Sequence, residues 1–435
     1  MNINIVGAGL AGSEAALTLS KKEIKCNLFE IKPQGNSTVH KSNDFAELVC
    51  SNSLKSFDIS NASGLLKKEG ELLDSNLLKI AYKNSVPAGK ALAVNREKFS
   101  KEITNQIENS KFINIYREEI TKIDLLNKND IWLISTGPIT SSTFEMWLKE
   151  TFGEDLFFFD AVSPIISKDS INMSKAFIAD RYDKGDGDYL NCPMSEDEYR
   201  IFYQNLISAE LAPVENFSDK ELFERCQPLE EIAKRGLDAP RFGPLKPVGL
   251  HDENGNSFYA VVQLRKEDIE GRFYSPVGFQ TRLKWGEQNR VFKLIPALAN
   301  AEFVRYGVMH RNTYLNSPKV MNDYLQSQKY KNIFFAGQIT GLEGYVEAIV
   351  SGKIAAINIE KFINNQTLLS LPENSMIGSL IKHITTKARI PLSPVYANYG
   401  LLPPIKGFKK KRERNLAKGE KALEIFKKFI VSENI

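Results

Sequence analysis

The chain has 435 residues, of which 42% are hydrophobic and 25% charged, with a formal net charge of +4. That is the composition of a folded globular protein, long enough for two domains, and its weak global field leaves acidic partners to be met by local basic patches. No apolar run approaches the roughly 18 residues of a bilayer-spanning helix, no signal-peptide pattern precedes the first strand, and four cysteines without paired spacing exclude a disulfide framework or a zinc ribbon. The expectation is a cytoplasmic protein without bound metal or membrane contact; the oligomeric state is not legible, a monomer being one of the open readings.

The opening "NINIVGAGLAGSEAALTLSKKEIKCNLFE" predicts a βαβ unit: a strand Asn2–Val6, a glycine turn, a helix Ser13–Ser20 and a second strand Lys25–Glu30. In Gly7-Ala8-Gly9-Leu10-Ala11-Gly12 one glycine permits the tight turn, one admits a pyrophosphate, and one lets helix and strand pack closely. The helix amino terminus presents free N–H groups to the phosphates. Glu30, eighteen residues beyond Gly12, stands where a ribose hydroxyl would be bonded. The reading is dinucleotide binding.

Loop and helix are expected from about Asp44 to Lys79, including "FAELVCSNSL", which sets Cys50 among Ser51, Asn52 and Ser53. A cysteine in such company is either an incidental loop thiol or a reagent. "SVPAGKALAVNREKFSKEI" predicts a loop, a strand and a helix opened by Asn95, and "DIWLISTGP" a buried strand stopped by Gly137-Pro138. Beyond "LFFFDAVSPII" short strands, turns and prolines run to about Pro318 as a mixed α/β region. "YKNIFFAGQITGLEGYVEAIVSGK" then restores strand, glycine turn and long helix, with Gly337, Gln338, Gly341, Gly344 and Tyr345 placed to border a cofactor. In flavoproteins with two glycine motifs such a unit closes over the flavin, so FAD is favoured over a nicotinamide as the resident dinucleotide. The fold expected is α/β: a discontinuous, Rossmann-like FAD-binding domain (1–160 and 325–435) around an inserted mixed α/β substrate domain (161–324). Cys26 and Cys192 read as packing residues.

Together, "VGAGLAGSEAA", "FAELVCSNSL", "GLLKKE", "VPAGKALAVNR", "PVGFQTRLKWGEQNRVFKLIPALANAEFVRYGVMHRNTYLNSP", "FFAGQITGLEGYVEA" and "NYGLLPP" closely resemble one family, from near Asn2 to past Pro404. It is the bacterial folate- and FAD-dependent RNA uracil-5-methyltransferases, related to the wobble-uridine flavoproteins of the glucose-inhibited-division type. The resemblance implies that the one-carbon unit of 5,10-methylenetetrahydrofolate passes through the reduced flavin to C5 of a uridine, giving 5-methyluridine, with NADH or NADPH restoring the flavin. C5 of uracil becomes nucleophilic when a thiolate adds at C6. By resemblance Cys226, in "FERCQP", is the C6 nucleophile and Cys50 the general base or flavin-facing thiol; the sequence does not order the two. His310 is implied at the pterin, and Arg282 and Lys284 at the anionic tail of folate. RNA contacts are expected from Lys234, Arg235, Arg241 and Lys246 near Cys226, and from Lys406, Lys409, Lys410, Lys411, Arg412 and Arg414 near the carboxyl end. Lys90 and Asn95 stand where the family pattern has glycine and aspartate. The RNA is left open between the T-loop of tRNA and 23S rRNA. Rival readings are a wobble-uridine-type flavoprotein, a non-catalytic FAD- and RNA-binding protein, and a small-molecule FAD oxidoreductase.

Overall fold

The computed structural model describes residues 1–34, 40–153, 156–161, 163–181, 188–213, 227–252, 254–268, 270–307, 309–387, 392 and 394–435. The first strand, Ile3–Val6, is buried at every position, as expected of a strand covered on both faces. It pairs in parallel with Cys26–Phe29 on one side and Ile131–Ile134 on the other. Ile113–Tyr116 extends the sheet beyond Cys26–Phe29, and Ile333–Phe335 joins Ile131–Ile134 at the opposite edge, again in parallel. The late strand thus returns to the sheet that the first residues begin.

The helix Leu10–Lys21 starts three residues earlier than the periodicity predicts, because Gly9 is its N-cap and the glycine turn runs straight into it. Asn95 opens the helix Arg96–Glu108 as expected, its side chain accepting the Lys98 N–H at 3.0 Å. A short strand Ser53–Ser56 directly after Cys50, paired with Ala91–Val94, is absent from the sequence reading.

Between Leu156 and Tyr314 the architecture changes to antiparallel. Phe177–Ile178, Tyr189–Met194, Ala260–Lys266, Phe273–Pro276, Ile165–Ser167 and Phe303–Arg305 lie side by side in that order. The chain's exit and return segments, Leu156–Ala161 and Met309–Tyr314, pair with each other. One hydrophobic core gathers residues from Ile3 to Leu148 and from Tyr314 to Ile430. A second runs from Ile166 to Ala301 and includes Cys192. Burial pushes the thiols of Cys26 and Cys192 up to about 12, so both are packing groups, not nucleophiles. No described helix is long and apolar enough to cross a membrane.

Two helices of the first core are joined by a buried carboxylate. Glu69, in the helix Ala62–Leu72, accepts the Met376 and Ile377 N–H groups at 2.7 and 2.8 Å, where the helix Met376–Thr385 begins. Burial raises its pKa from 4.5 to about 8. Within that window the folded chain keeps a proton that the unfolded chain has released, so this contribution is complete below pH 4.5 and is lost as pH rises through 8. Glu69→Gln cannot titrate. Urea midpoints measured from pH 5 to 9 should fall less steeply in the variant, whose stability at pH 5 drops by about 1–3 kcal/mol for the weakened cap. Parallel pH curves would refute the assignment.

Candidate active site

The carboxyl ends of the parallel strands open on a cleft bordered by the first glycine turn and by Gly337, Gln338, Gly344 and Tyr345 of the second. Two helices, Leu10–Lys21 and Tyr345–Ile363, begin at glycines on its wall and turn their amino ends toward it, a setting that favours bound phosphate. At Gly12 a Cβ would lie 1.9 Å from the Gly7 carbonyl oxygen, so helix and strand meet there without room for a methyl group. Gly9 is different. Its φ of −71° suits any residue, and a Cβ would meet no atom of the chain within 4 Å. The space beside it is open, as a pyrophosphate lying close against the backbone would require.

Glu30 is buried on the same wall and accepts the N–H groups of Ala8 and Lys32, both at 3.0 Å, through different carboxylate oxygens. Each oxygen has a further lone pair for a ribose hydroxyl. Lys32 is buried beside it, its Nζ donating to the Asp44 carbonyl at 2.6 Å and pairing with Glu47 at 3.3 Å. These residues fit a dinucleotide. Gly341, placed with them by the sequence reading, turns elsewhere: a Cβ there would strike Leu392 at 2.7 Å, so this glycine serves packing and a left-handed turn at φ +86°.

Cys50 sits in a loop whose backbone is fixed from two sides. The Tyr345 hydroxyl oxygen accepts the Cys50 N–H at 2.8 Å and the Ser51 N–H at 3.0 Å. Arg96 donates to the Leu48 carbonyl at 3.1 Å and the Cys50 carbonyl at 3.5 Å, while Arg305 donates to the Val49 carbonyl. Arg96 is itself oriented by Glu267 of the antiparallel region, 2.7 Å away. Asn52 then donates to the Val94 carbonyl at 3.2 Å and the Lys266 carbonyl at 2.9 Å. The polar neighbours of Cys50 are thus the fastenings of a shaped loop. Arg96 and Arg305 both interact electrostatically with Cys50, the electropositive setting that reactive cysteines occupy. Burial, with Cys50 second, raises the Tyr345 phenol above its ordinary range, so it stays neutral.

Other expected residues are placed differently. Cys226 lies outside the described residues. The His310 backbone pairs with Asp160 in the connecting ladder; its side chain also lies outside the described residues. Arg282 and Lys284 do not border the cleft: Arg282 pairs with Glu231 at 3.2 Å, and Lys284 with Glu210 at 2.6 Å. Lys234 pairs with Glu231 at 2.9 Å, and Arg235 donates to Gln227. Arg241 lies 3.6 Å from the Tyr259 ring centroid and also bonds the Tyr259 carbonyl and Asp238, which makes it a structural brace. Lys410 and Arg412, at the start of the helix Lys411–Glu433, reach Glu413 at 3.4 Å and Asp58 at 3.5 Å, while Lys409 is exposed just before it. Arg96, Arg305 and Glu267 were not singled out from the sequence. Their contacts join residues far apart in the chain, and no local pattern announces them.

The family model described as "Glucose inhibited division protein A" matches residues 2–367. The chain is 53% identical over 433 residues to the "Methylenetetrahydrofolate--tRNA-(uracil-5-)-methyltransferase TrmFO" of Thermotoga sp. (strain RQ2), covering 99% of each. It is 54% identical over 415 residues to the protein of the same name from Thermosipho melanesiensis, covering 95% of this chain and 96% of that one. The solved structure of Aquifex aeolicus GidA aligns with a TM-score of 0.68 at 16% identity, over 99% of this chain and 75% of that one, a likeness of fold.

Tyr345→Phe removes the acceptor of two loop amides. The expected result is a stability loss of about 1–3 kcal/mol with faster hydrogen exchange at Cys50 and Ser51. Unchanged exchange at those amides would show that the hydroxyl does not hold the loop.

Proposed function

Because this chain belongs to the methylenetetrahydrofolate–tRNA-(uracil-5-)-methyltransferase family and is an enzyme of that kind, we propose that it forms 5-methyluridine in tRNA. In this reading 5,10-methylenetetrahydrofolate is the carbon donor and NADH or NADPH the reductant. The relatives at 53% and 54% identity carry tRNA in their names, which favours tRNA over 23S rRNA.

FAD, when bound, supplies a redox-active ring able to take up and release a one-carbon unit and a hydride. Gly9, the amino end of the Leu10–Lys21 helix and Glu30 would hold its pyrophosphate and ribose, and Gly337, Gly344 and Tyr345 would border the rest. The chain's own chemistry is directed at uracil. A Cys226 thiolate adds to C6; the C5–C6 π electrons move toward O4, and C5 becomes an enolate carbon. Once C5 has formed its new carbon bond, a base removes the C5 proton and the C6–sulfur bond breaks, returning the thiolate. We assign proton removal to Cys50. The observation that carries this is its loop, held by Tyr345 on the cleft wall and faced by two guanidinium groups. His310, Arg282 and Lys284 are retained for folate only as far as their region of the chain; as described, both cations are engaged by glutamates.

The test is nucleoside mass spectrometry on tRNA and 23S rRNA, each transcribed without modification and incubated with the protein, methylenetetrahydrofolate, FAD and NADH. 5-Methyluridine should appear in tRNA and be lost, by at least a hundredfold, in Cys226→Ala and Cys50→Ala. Product in rRNA alone would move the substrate to the ribosome. No product in either RNA, with FAD bound, would overturn the methyltransferase reading for this chain.

A further inference from the structure

A second groove lies beside the cofactor cleft. Its walls are the strand Ser53–Ser56 with the turn that follows, the segment around Asn398–Ile405, and the start of the helix Lys411–Glu433. Lys55, Lys411, Arg414 and Lys418 line it, and no carboxylate is among its lining residues. For a chain with a net charge of only +4, that is a marked local excess of positive charge. Asp58, near the rim, gathers two more cations, Lys90 at 3.7 Å and Arg412 at 3.5 Å. Lys90 is one of the two residues that depart from the family pattern. Two aromatic residues, Phe57 beside Lys90 and Phe408 just before the basic run, are exposed.

The groove is built to keep its shape. Lys418 donates to the Tyr399 and Leu402 carbonyls at 2.9 and 3.1 Å, fastening the segment to the helix. A Cβ on Gly419 would lie 2.6 Å from the Tyr399 hydroxyl, and Phe426 and Ile430 anchor the far half of the helix in the core. The groove also adjoins the cofactor cleft. Lys55 comes so near Gly344 that a Cβ on that glycine would lie 2.9 Å from its Nζ, and Gly344 is part of the cleft wall. Lys55 pairs with Glu347 at 3.5 Å, which is itself held by the Ala397 N–H at 2.9 Å.

We propose that this groove, defined by Lys55, Lys411 and Arg414 with Lys90 and Arg412 at its rim, is the track of the RNA phosphate backbone. It would lead an unpaired segment past Gly344 to the Cys50 loop. The inference rests on the RNA-methylating function above and extends it to the surface that holds the substrate. Cations lining a groove suit successive phosphates, and exposed aromatic residues next to them in the chain suit stacked, unpaired bases. A target base turned out of its loop needs such a grip on its neighbours. The tail of folate is also polyanionic but has no use for the exposed Phe57 and Phe408.

The test uses the full chain loaded with FAD and unmodified transcribed tRNA, with affinity read by fluorescence anisotropy between 50 and 300 mM KCl. The Lys411→Glu, Arg414→Glu double variant should bind tRNA at least about tenfold more weakly at 100 mM KCl. Its plot of log Kd against log salt should flatten by about 1 to 2, the value for one or two lost phosphate contacts. Lys427→Glu with Lys428→Glu, the same charge change on an exposed part of the same helix, should leave both quantities unchanged. Thermal melting and FAD content certify folding. Undiminished affinity and slope in a folded double variant, while the wild type methylates tRNA, would overturn the groove alone. So would a raised KM for polyglutamylated folate with tRNA affinity intact. If the double variant loses tRNA affinity while the wild type makes no 5-methyluridine, the groove stands and the methylation reading falls.

Discussion

The structure depends on one close approach. At Gly352, midway along the helix Tyr345–Ile363, a Cβ would lie 2.2 Å from the Ala11 carbonyl oxygen. The helix Leu10–Lys21 and the long late helix therefore meet backbone to backbone, and a Cβ on Gly337 would stand 3.0 Å from that of Ala11. Neither contact tolerates a larger residue without moving main chain, and overpacking of that kind costs about 1–3 kcal/mol or more. What the approach achieves is convergence. Two helices separated by most of the sequence start on the wall of one cleft, and their amino ends add their partial positive charges there.

In both cores, buried glutamates act as connectors between elements. Glu14 accepts the Asn76 and Leu77 N–H groups at 3.0 and 2.8 Å, where the helix Asn76–Lys83 begins. Glu230 accepts the Arg282 N–H at 2.6 Å and the Thr281 hydroxyl at 2.9 Å. Each satisfies backbone donors that a buried helix start or loop would otherwise leave orphaned. Burial raises the pKa of both. Such carboxylates explain acidic residues at positions where periodicity alone would ask for apolar ones.

The first glycine turn, four of the five parallel strands and the Asn95 cap were legible because their signals are local: spacing, period and a cap three residues from its target; the edge strand Ile113–Tyr116 was not read. The oddity of Cys50 was legible too, since Ser51 and Asn52 are poor company for a buried thiol. What fixes that loop was not. Tyr345 reaches it across 295 residues and Arg305 across 256, and no sequence pattern encodes pairings at such range. Arg282 and Lys284 show the converse. Their charge was visible, but the pairing with Glu231 and Glu210 was visible only in three dimensions. Gly341 looked equivalent to its neighbours because a glycine needed for a left-handed turn and one needed for ligand space read alike.

The bonds from Asn52 to Lys266 and from Arg96 to Glu267 join the cysteine loop to the end of the antiparallel strand Ala260–Lys266. This limits how far the protein can be dissected. Excising the antiparallel region and splicing its ends would leave Arg96 without its carboxylate and Asn52 with one carbonyl in place of two. Arg96 would lose the partner that orients it toward the Leu48 and Cys50 carbonyls, and the loop it supports carries the thiol. A minimal flavin-binding fragment would therefore be expected to keep the nucleotide cleft while losing the shape of the cysteine loop. Modularity in the chain's connectivity does not carry over to its chemistry.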